Sequence, residues 1–243
     1  MSRPLVLCYH AVSERWEHRL AISLAALERQ VRTLLLRRFR PASAAETLTG
    51  RGRLLHVTFD DAFRSVDRAI PVLERLGVPA TVFACPSYAG DGRPLAVPEL
   101  AAEAARLPAE LATMSWHQLR GLVESGTEVG SHTSTHAHLT RLDADQLERE
   151  LRESKSRLED ELGRPCRYLA YPYGEEDARV RAAARAAGYE AAFALPGPPW
   201  PLDRYALPRV GIFRKDALAR ATLKTTPLRH AAAAARRARS RRG

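Results

Sequence analysis

Apolar residues along this chain fall into short unbroken runs, separated by longer stretches in which every third or fourth position is apolar. The short runs lie at residues 4–9, 54–61, 81–85, 128–131, 166–170, 189–194 and 205–213. Runs of this length, rich in β-branched and aromatic residues, predict buried strands. Between them, Leu24, Leu27, Val31, Leu34 and Leu35 follow an N-cap at Ser23, and Val66, Ile70, Leu73 and Leu76 precede Gly77. Both stretches carry the stripe and the end signals of helices. Ser115 with Gln118 opens a helix that stops at Gly126, and Asp143 with Gln146 opens a long charged one to Leu162. Residues 175–187 and 216–224 read as two further helices. Residues 86–113, punctuated by Gly90, Gly92, Pro94, Pro98 and Pro108, read as an insertion with a short helix. Strand and helix alternate throughout, which predicts an α/β fold with a parallel sheet, open or closed into a barrel.

One strand ends unusually. The run from Leu54 finishes in two adjacent carboxylates, Asp60 and Asp61. Burying an ionised carboxylate is costly unless it is paired or bound to a cation, so the pair needs open solvent, a metal, or a plain role as a helix N-cap.

Composition narrows the setting. At 243 residues with 45% hydrophobic and 27% charged residues, the chain has enough apolar material for one large core. The formal net charge of +10 is uneven: Arg229, Arg236, Arg237, Arg239, Arg241 and Arg242 lie in a final segment without acidic residues. The rest is only mildly basic and lacks the aromatic-plus-basic pattern of single-strand readers, so no nucleic-acid partner is expected. We expect one domain over 1–226 and a disordered Ala/Arg-rich tail over 227–243, whose alanine side offers at most weak contact with a membrane surface. The three cysteines are distant from one another and form no CxxC pair, which argues against a disulfide framework. Residues 4–9 are too short for the apolar core of a signal peptide, and no run of about 18 apolar residues occurs. The expected location is cytoplasmic, with the tail able to reach the inner membrane face. Oligomeric state is not legible.

Two further motifs follow strands on the same side. His132-Thr-Ser-Thr-His136 offers two imidazoles that can converge on a metal, and Ala170-Tyr-Pro-Tyr-Gly174 forms a sharp turn at Pro172 and Gly174. A barrel gathers the carboxyl ends of its strands on one face, where catalytic groups collect. Two imidazoles and one carboxylate there make a metal site with open positions, leaving the second carboxylate free as a base. The backbone N–H of Tyr173 is a candidate oxyanion donor, although the turn also reads as packing. His10 ends the first run.

The set Thr58-Phe59-Asp60-Asp61, His132-Thr-Ser-Thr-His136 and Tyr171-Pro-Tyr-Gly174 resembles the polysaccharide deacetylase family, the NodB-homology or carbohydrate esterase family 4 domain. The resemblance spans residues 4–213. It implies a distorted (β/α) barrel of usually seven strands, a divalent metal with zinc as first choice, and removal of acetyl groups from carbohydrate. By motif, Asp60 matches the general base, and Asp61, His132 and His136 match the metal ligands. Two departures stand out. Ala170 occupies the place where many members have an Arg that tethers the base, and the late Leu-x-x-x-His motif that supplies a general acid is missing. The pattern is similar to the permuted branch that includes poly-β-1,6-N-acetylglucosamine deacetylases, where the acid histidine follows the first strand. Cys8-Tyr9-His10 fits, making His10 the candidate acid, and Arg209 is a candidate to replace the tethering Arg. The implied reaction is hydrolysis of the acetamide of an N-acetylated amino sugar in a glycan or lipid-linked saccharide. An O-acetyl esterase on the same site and a catalytically silent carbohydrate-binding barrel are the alternatives.

Overall fold

Six of the expected runs form strands, nearly all of whose residues are buried: β1 Leu5–Tyr9, β2 Leu54–Phe59, β3 Ala80–Ala84, β4 Glu128–Ser131, β5 Tyr168–Ala170 and β6 Ala191–Ala194. The structure is a computed structural model that describes residues 4–49, 51–195 and 203–216. The seventh run divides into β7 Leu207–Pro208, paired with β6, and β8 Val210–Gly211, paired with β1. All these pairings are parallel, and the order is β7-β6-β5-β4-β3-β2-β1-β8. The two ends of the sheet therefore meet in one segment, with Arg209 between them. Its N–H donates to the Ala194 carbonyl at 3.2 Å, and the Ile212 N–H donates to Cys8 at 2.9 Å. The result is the expected (β/α) barrel, nearly closed.

Side-chain alternation along the strands separates two apolar layers. Leu5, Leu7 and Tyr9 join the large cluster shared with the helices, whereas Val6 joins a smaller one with Phe83, Tyr168, Ala170, Ala191, Phe193 and Leu207. Leu169, Ala192 and Ala194, the neighbours of the second group, belong to the first.

The helices that follow the predicted stripes are α1 Leu24–Leu36, α2 Ile70–Arg75, α3 Trp116–Glu124, α4 Ala144–Leu162 and α5 Ala178–Ala186. Ser23, Ser115 and Asp143 cap α1, α3 and α4 as expected. Two starts are later than the apolar pattern predicts. After Asp61 the chain makes a 3-10 turn, Arg64–Arg68, and the α-helix waits until Ile70, with Pro71 in the first turn where its missing N–H costs nothing. The helix expected from 175 begins at Ala178 under an Asp177 cap, because Pro172–Gly174 is itself a 3-10 turn and Glu175 is extended. The insertion holds two short helices, Ala101–Arg106 and Pro108–Leu111, rather than one. The expected helix at 216–224 and the tail lie outside the described residues apart from Asp216. Among the described residues no helix is long and apolar enough to cross a membrane.

Candidate active site

At the carboxyl ends of β2, β4 and β5 the chain leaves the sheet through backbone that L-residues rarely adopt. Asp61 (φ 70°), Ala62 (46°), Thr133 (65°), His136 (63°) and Tyr173 (60°) all have positive φ. Among the described non-glycine residues only Arg38 does so elsewhere. Each such residue costs on the order of 1 kcal/mol and persists only where its surroundings over-determine it. The strain is thus concentrated at one end of the barrel.

Three donors converge there. Asp61 Oδ1 lies 3.2 Å from His136 Nε2 and 3.5 Å from His132 Nε2, and all three side chains are buried. The approach of His136 is close but not aligned as a hydrogen bond, so Asp61 Oδ1 has no partner. His132 Nδ1 is 2.7 Å from the Ala170 carbonyl. That contact assigns the ring proton to Nδ1 and turns the bare Nε2 lone pair toward Asp61. Burial pulls the His132 imidazole down to about 4, which keeps it neutral and able to ligate. At His136 the close contact with Asp61 outweighs burial and raises the ring's pKa. A neutral acceptor nitrogen facing a carboxylate oxygen without a proton between them is unfavourable, and a cation removes the conflict. The donor set of two imidazoles and one carboxylate fits a divalent metal such as zinc.

The neighbouring carboxylate is held differently. Asp60 receives a bidentate contact from Arg209, Nη1 to Oδ1 at 2.6 Å and Nη2 to Oδ2 at 2.8 Å, with both side chains buried. Burial alone pushes the Asp60 carboxyl up, but the Arg209 charge and hydrogen bonds hold it well below the usual carboxylate range. Arg209 Nη1 also donates to Thr58 Oγ1 at 3.1 Å, and its guanidinium lies 5.5 Å from the Phe83 ring centre. The tether missing at Ala170 is therefore supplied from the barrel seam. Neither aspartate caps a helix: the 3-10 turn begins after Phe63 without a side-chain cap. Arg209 pairs with Asp60, whereas Asp61 has only the two imidazoles of His132 and His136 beside it.

His10 joins the group from β1. A ring nitrogen of His10, the Cys8 sulfur and an Asp60 oxygen lie within 4.8 Å of one another, and His10 Nδ1 is buried without a partner. Burial lowers the pKa of its ring against the pull of Asp61 and Asp60. Pro172 is buried and starts the turn that carries Tyr173. The hydrogen bonds of that turn use the Gly174 and Glu175 N–H groups and leave out that of Tyr173. Gly174 (φ 69°) is irreplaceable, since a Cβ there would sit 1.8 Å from the Leu195 carbonyl oxygen. The Tyr173 ring packs edge-on to His136, stacks on His138 at 3.7 Å, and its hydroxyl donates to Glu99 at 2.9 Å.

The eight residues singled out from the sequence thus come to one barrel end. Others joined them without a sequence signal. The Cys8 thiol donates to Asp60 Oδ2 at 3.3 Å, and Glu99 reaches Tyr173 from the insertion. Both contacts link residues more than 50 positions apart, beyond the reach of any local pattern.

Comparison with known proteins agrees with this architecture. BC0361, a polysaccharide deacetylase from Bacillus cereus, superposes with a TM-score of 0.74 at 22% identity, covering 93% of this chain and 69% of that one. IcaB from Ammonifex degensii gives 0.70 at 24% identity, covering 93% and 98%. The Streptococcus pyogenes deacetylase PplD, solved with acetate, gives 0.74 at 17% identity over 93% and 99%. YxkH of Bacillus subtilis is 24% identical over 135 residues, which is 55% of this chain and 42% of that protein. The family model described as polysaccharide deacetylase matches residues 48–192, more than half of the sequence. The chain belongs to the polysaccharide deacetylase family.

Proposed function

We propose that this chain is a metal-dependent deacetylase that hydrolyses the acetamide of an N-acetylated amino sugar, in a glycan or a lipid-linked saccharide, and releases acetate. The observation that carries this reading is the division of labour between the adjacent aspartates: Asp61 meets two imidazoles, while Asp60 is clamped by Arg209. Asp61, His132 and His136 would hold a divalent cation, which when bound would supply Lewis acidity to an acetyl carbonyl and to a water.

The chain's own groups do the rest. Asp60 is kept ionised by Arg209 and takes a proton from the attacking water. A carboxylate held that low is a weak base, so it acts only on a water already made acidic. The Tyr173 N–H is the donor for charge developing on the carbonyl oxygen, a contact of a kind worth about 3 kcal/mol. As the C–N bond breaks, the nitrogen must gain a proton, because an amide nitrogen leaves poorly as an anion. His10 supplies it, from a ring that sits beside Asp60 with its Nδ1 buried and without a protein partner. Zinc is the first choice of metal, since this donor set with open positions is a catalytic zinc arrangement. The Arg209 tether removes the motive for a catalytically silent barrel, which rested on Ala170.

Acetate release from matched N-acetyl and O-acetyl glucosamine oligomers tests the reading. Faster release from the N-acetyl series supports it. Release from the O-acetyl series alone would make the protein an esterase, and no release from any sugar by zinc-loaded protein would contradict catalysis.

A further inference from the structure

The loop that carries both imidazoles is gripped from outside by one carboxylate. We propose that Glu150 is a positioning residue that shapes residues 132–136 for metal before an ion arrives, an inference that rests on the metal reading above. Glu150 Oε2 accepts the N–H of Ser134 at 2.9 Å and that of Thr135 at 3.0 Å, and Oε1 accepts the Thr135 hydroxyl at 2.6 Å. Two successive N–H groups aimed at one oxygen form an anion-binding concavity, here filled by the protein's own side chain.

The surroundings make this grip consequential. Ser134 and Thr135 lie between Thr133 and His136, both in the left-handed region without being glycine. Such backbone relaxes unless held. The other contacts of the loop leave these two N–H groups to Glu150: the Thr133 N–H goes to Ser131 Oγ, the Ser134 carbonyl accepts from the Ser87 N–H, and the His132 carbonyl accepts from the Cys85 thiol. Without Glu150 the two donors have no protein acceptor, and the segment is free to rotate toward ordinary φ, swinging His136 away from Asp61. The platform is firm. Helix α4 buries Leu147, Leu151, Ser154 and Leu158, and Ser154, one turn beyond Glu150, accepts from the Ser131 hydroxyl at 2.9 Å. One helix thus holds the loop at its root and at its middle through Ser131, Ser134 and Thr135 rather than through a hydrogen bond to any of the three metal donors.

Zinc titration of the full-length, chelator-stripped chain, followed by calorimetry without any sugar, is the test. Glu150→Ala should weaken zinc binding about 10- to 100-fold, the range seen when groups supporting metal ligands are removed. Glu150→Gln should recover most of that loss, because its amide oxygen still accepts both N–H groups although the charge is gone. Wild-type affinity in Glu150→Ala overturns the proposal. So does equal weakening in both variants, which would reduce Glu150 to a long-range attraction for the cation. Thermal unfolding without zinc checks that each variant folds; if Glu150→Ala does not, Glu150→Asp, one methylene too short to reach both donors, is read the same way. A folded wild-type chain that binds no zinc refutes the metal reading itself, and this inference with it.

Discussion

Asp60 and Asp61 are neighbours with opposite surroundings, and their variants should fail in opposite ways. Asp60→Asn keeps the three converging donors, so zinc content should stay at wild-type level while acetate release falls about 10²- to 10⁴-fold, the usual contribution of a positioned base. Asp61→Ala should lose zinc and turnover together. Zinc analysis and acetate assay on the same preparations separate the two; full turnover in Asp60→Asn would remove the base assignment. Arg209→Met leaves the buried Asp60 charge without its partner, so unfolding stability should drop by about 3–5 kcal/mol. A denaturant midpoint unchanged from wild type would show that the ion pair holds nothing. At this scale the sequence was informative where chemistry is rare. Paired carboxylates at a strand end and two histidines four apart are legible because few structural roles call for them. Arg209 was legible only as the filler of a gap at Ala170, and Cys8 and Glu150 not at all, since a buried thiol or a helix glutamate has many ordinary uses.

At the scale of elements, strands and caps were legible because burial and capping are written locally. The late starts of α2 and α5 were not. In both places left-handed residues, Asp61 and Ala62 before one and Tyr173 before the other, divert the chain just before the helix. Nothing in their side chains announces that conformation; the barrel end imposes it. Gly174 is the exception, because any side chain at that position would collide with the Leu195 carbonyl. Gly174→Ala should therefore cost about 2–4 kcal/mol of stability and displace the Tyr173 turn. Thermal unfolding with acetate assay checks this, and a stable, fully active variant would show that the turn tolerates another shape.

For the whole molecule, the parallel barrel followed from the alternation of elements, but its closure did not. That one short segment pairs with both sheet ends, with Arg209 between them, is a matter of three-dimensional register that a run of apolar residues at 205–213 does not encode. Stability should also depend on pH through His56, buried in β2 between the Ala42 carbonyl and the Thr81 hydroxyl. Burial lowers its pKa from 6.5 to about 4, so between those values the unfolded chain binds a proton that the folded one refuses. Stability is lost as pH falls through that window, by roughly 3 kcal/mol at most. Denaturant unfolding at pH 7 and pH 4.5 should show the advantage of wild type over His56→Gln shrinking as pH falls, whereas a constant difference would exclude this source.

The proposed reaction needs a cation at Asp61, His132 and His136 and an N-acetyl sugar as substrate. Titrating zinc into chelator-stripped protein while recording acetate released from N-acetylglucosamine oligomers tests both halves at once. Release should rise from background in proportion to added zinc and level off at one ion per chain. Undiminished release from the stripped protein, or none from protein carrying its full complement of zinc, would contradict it.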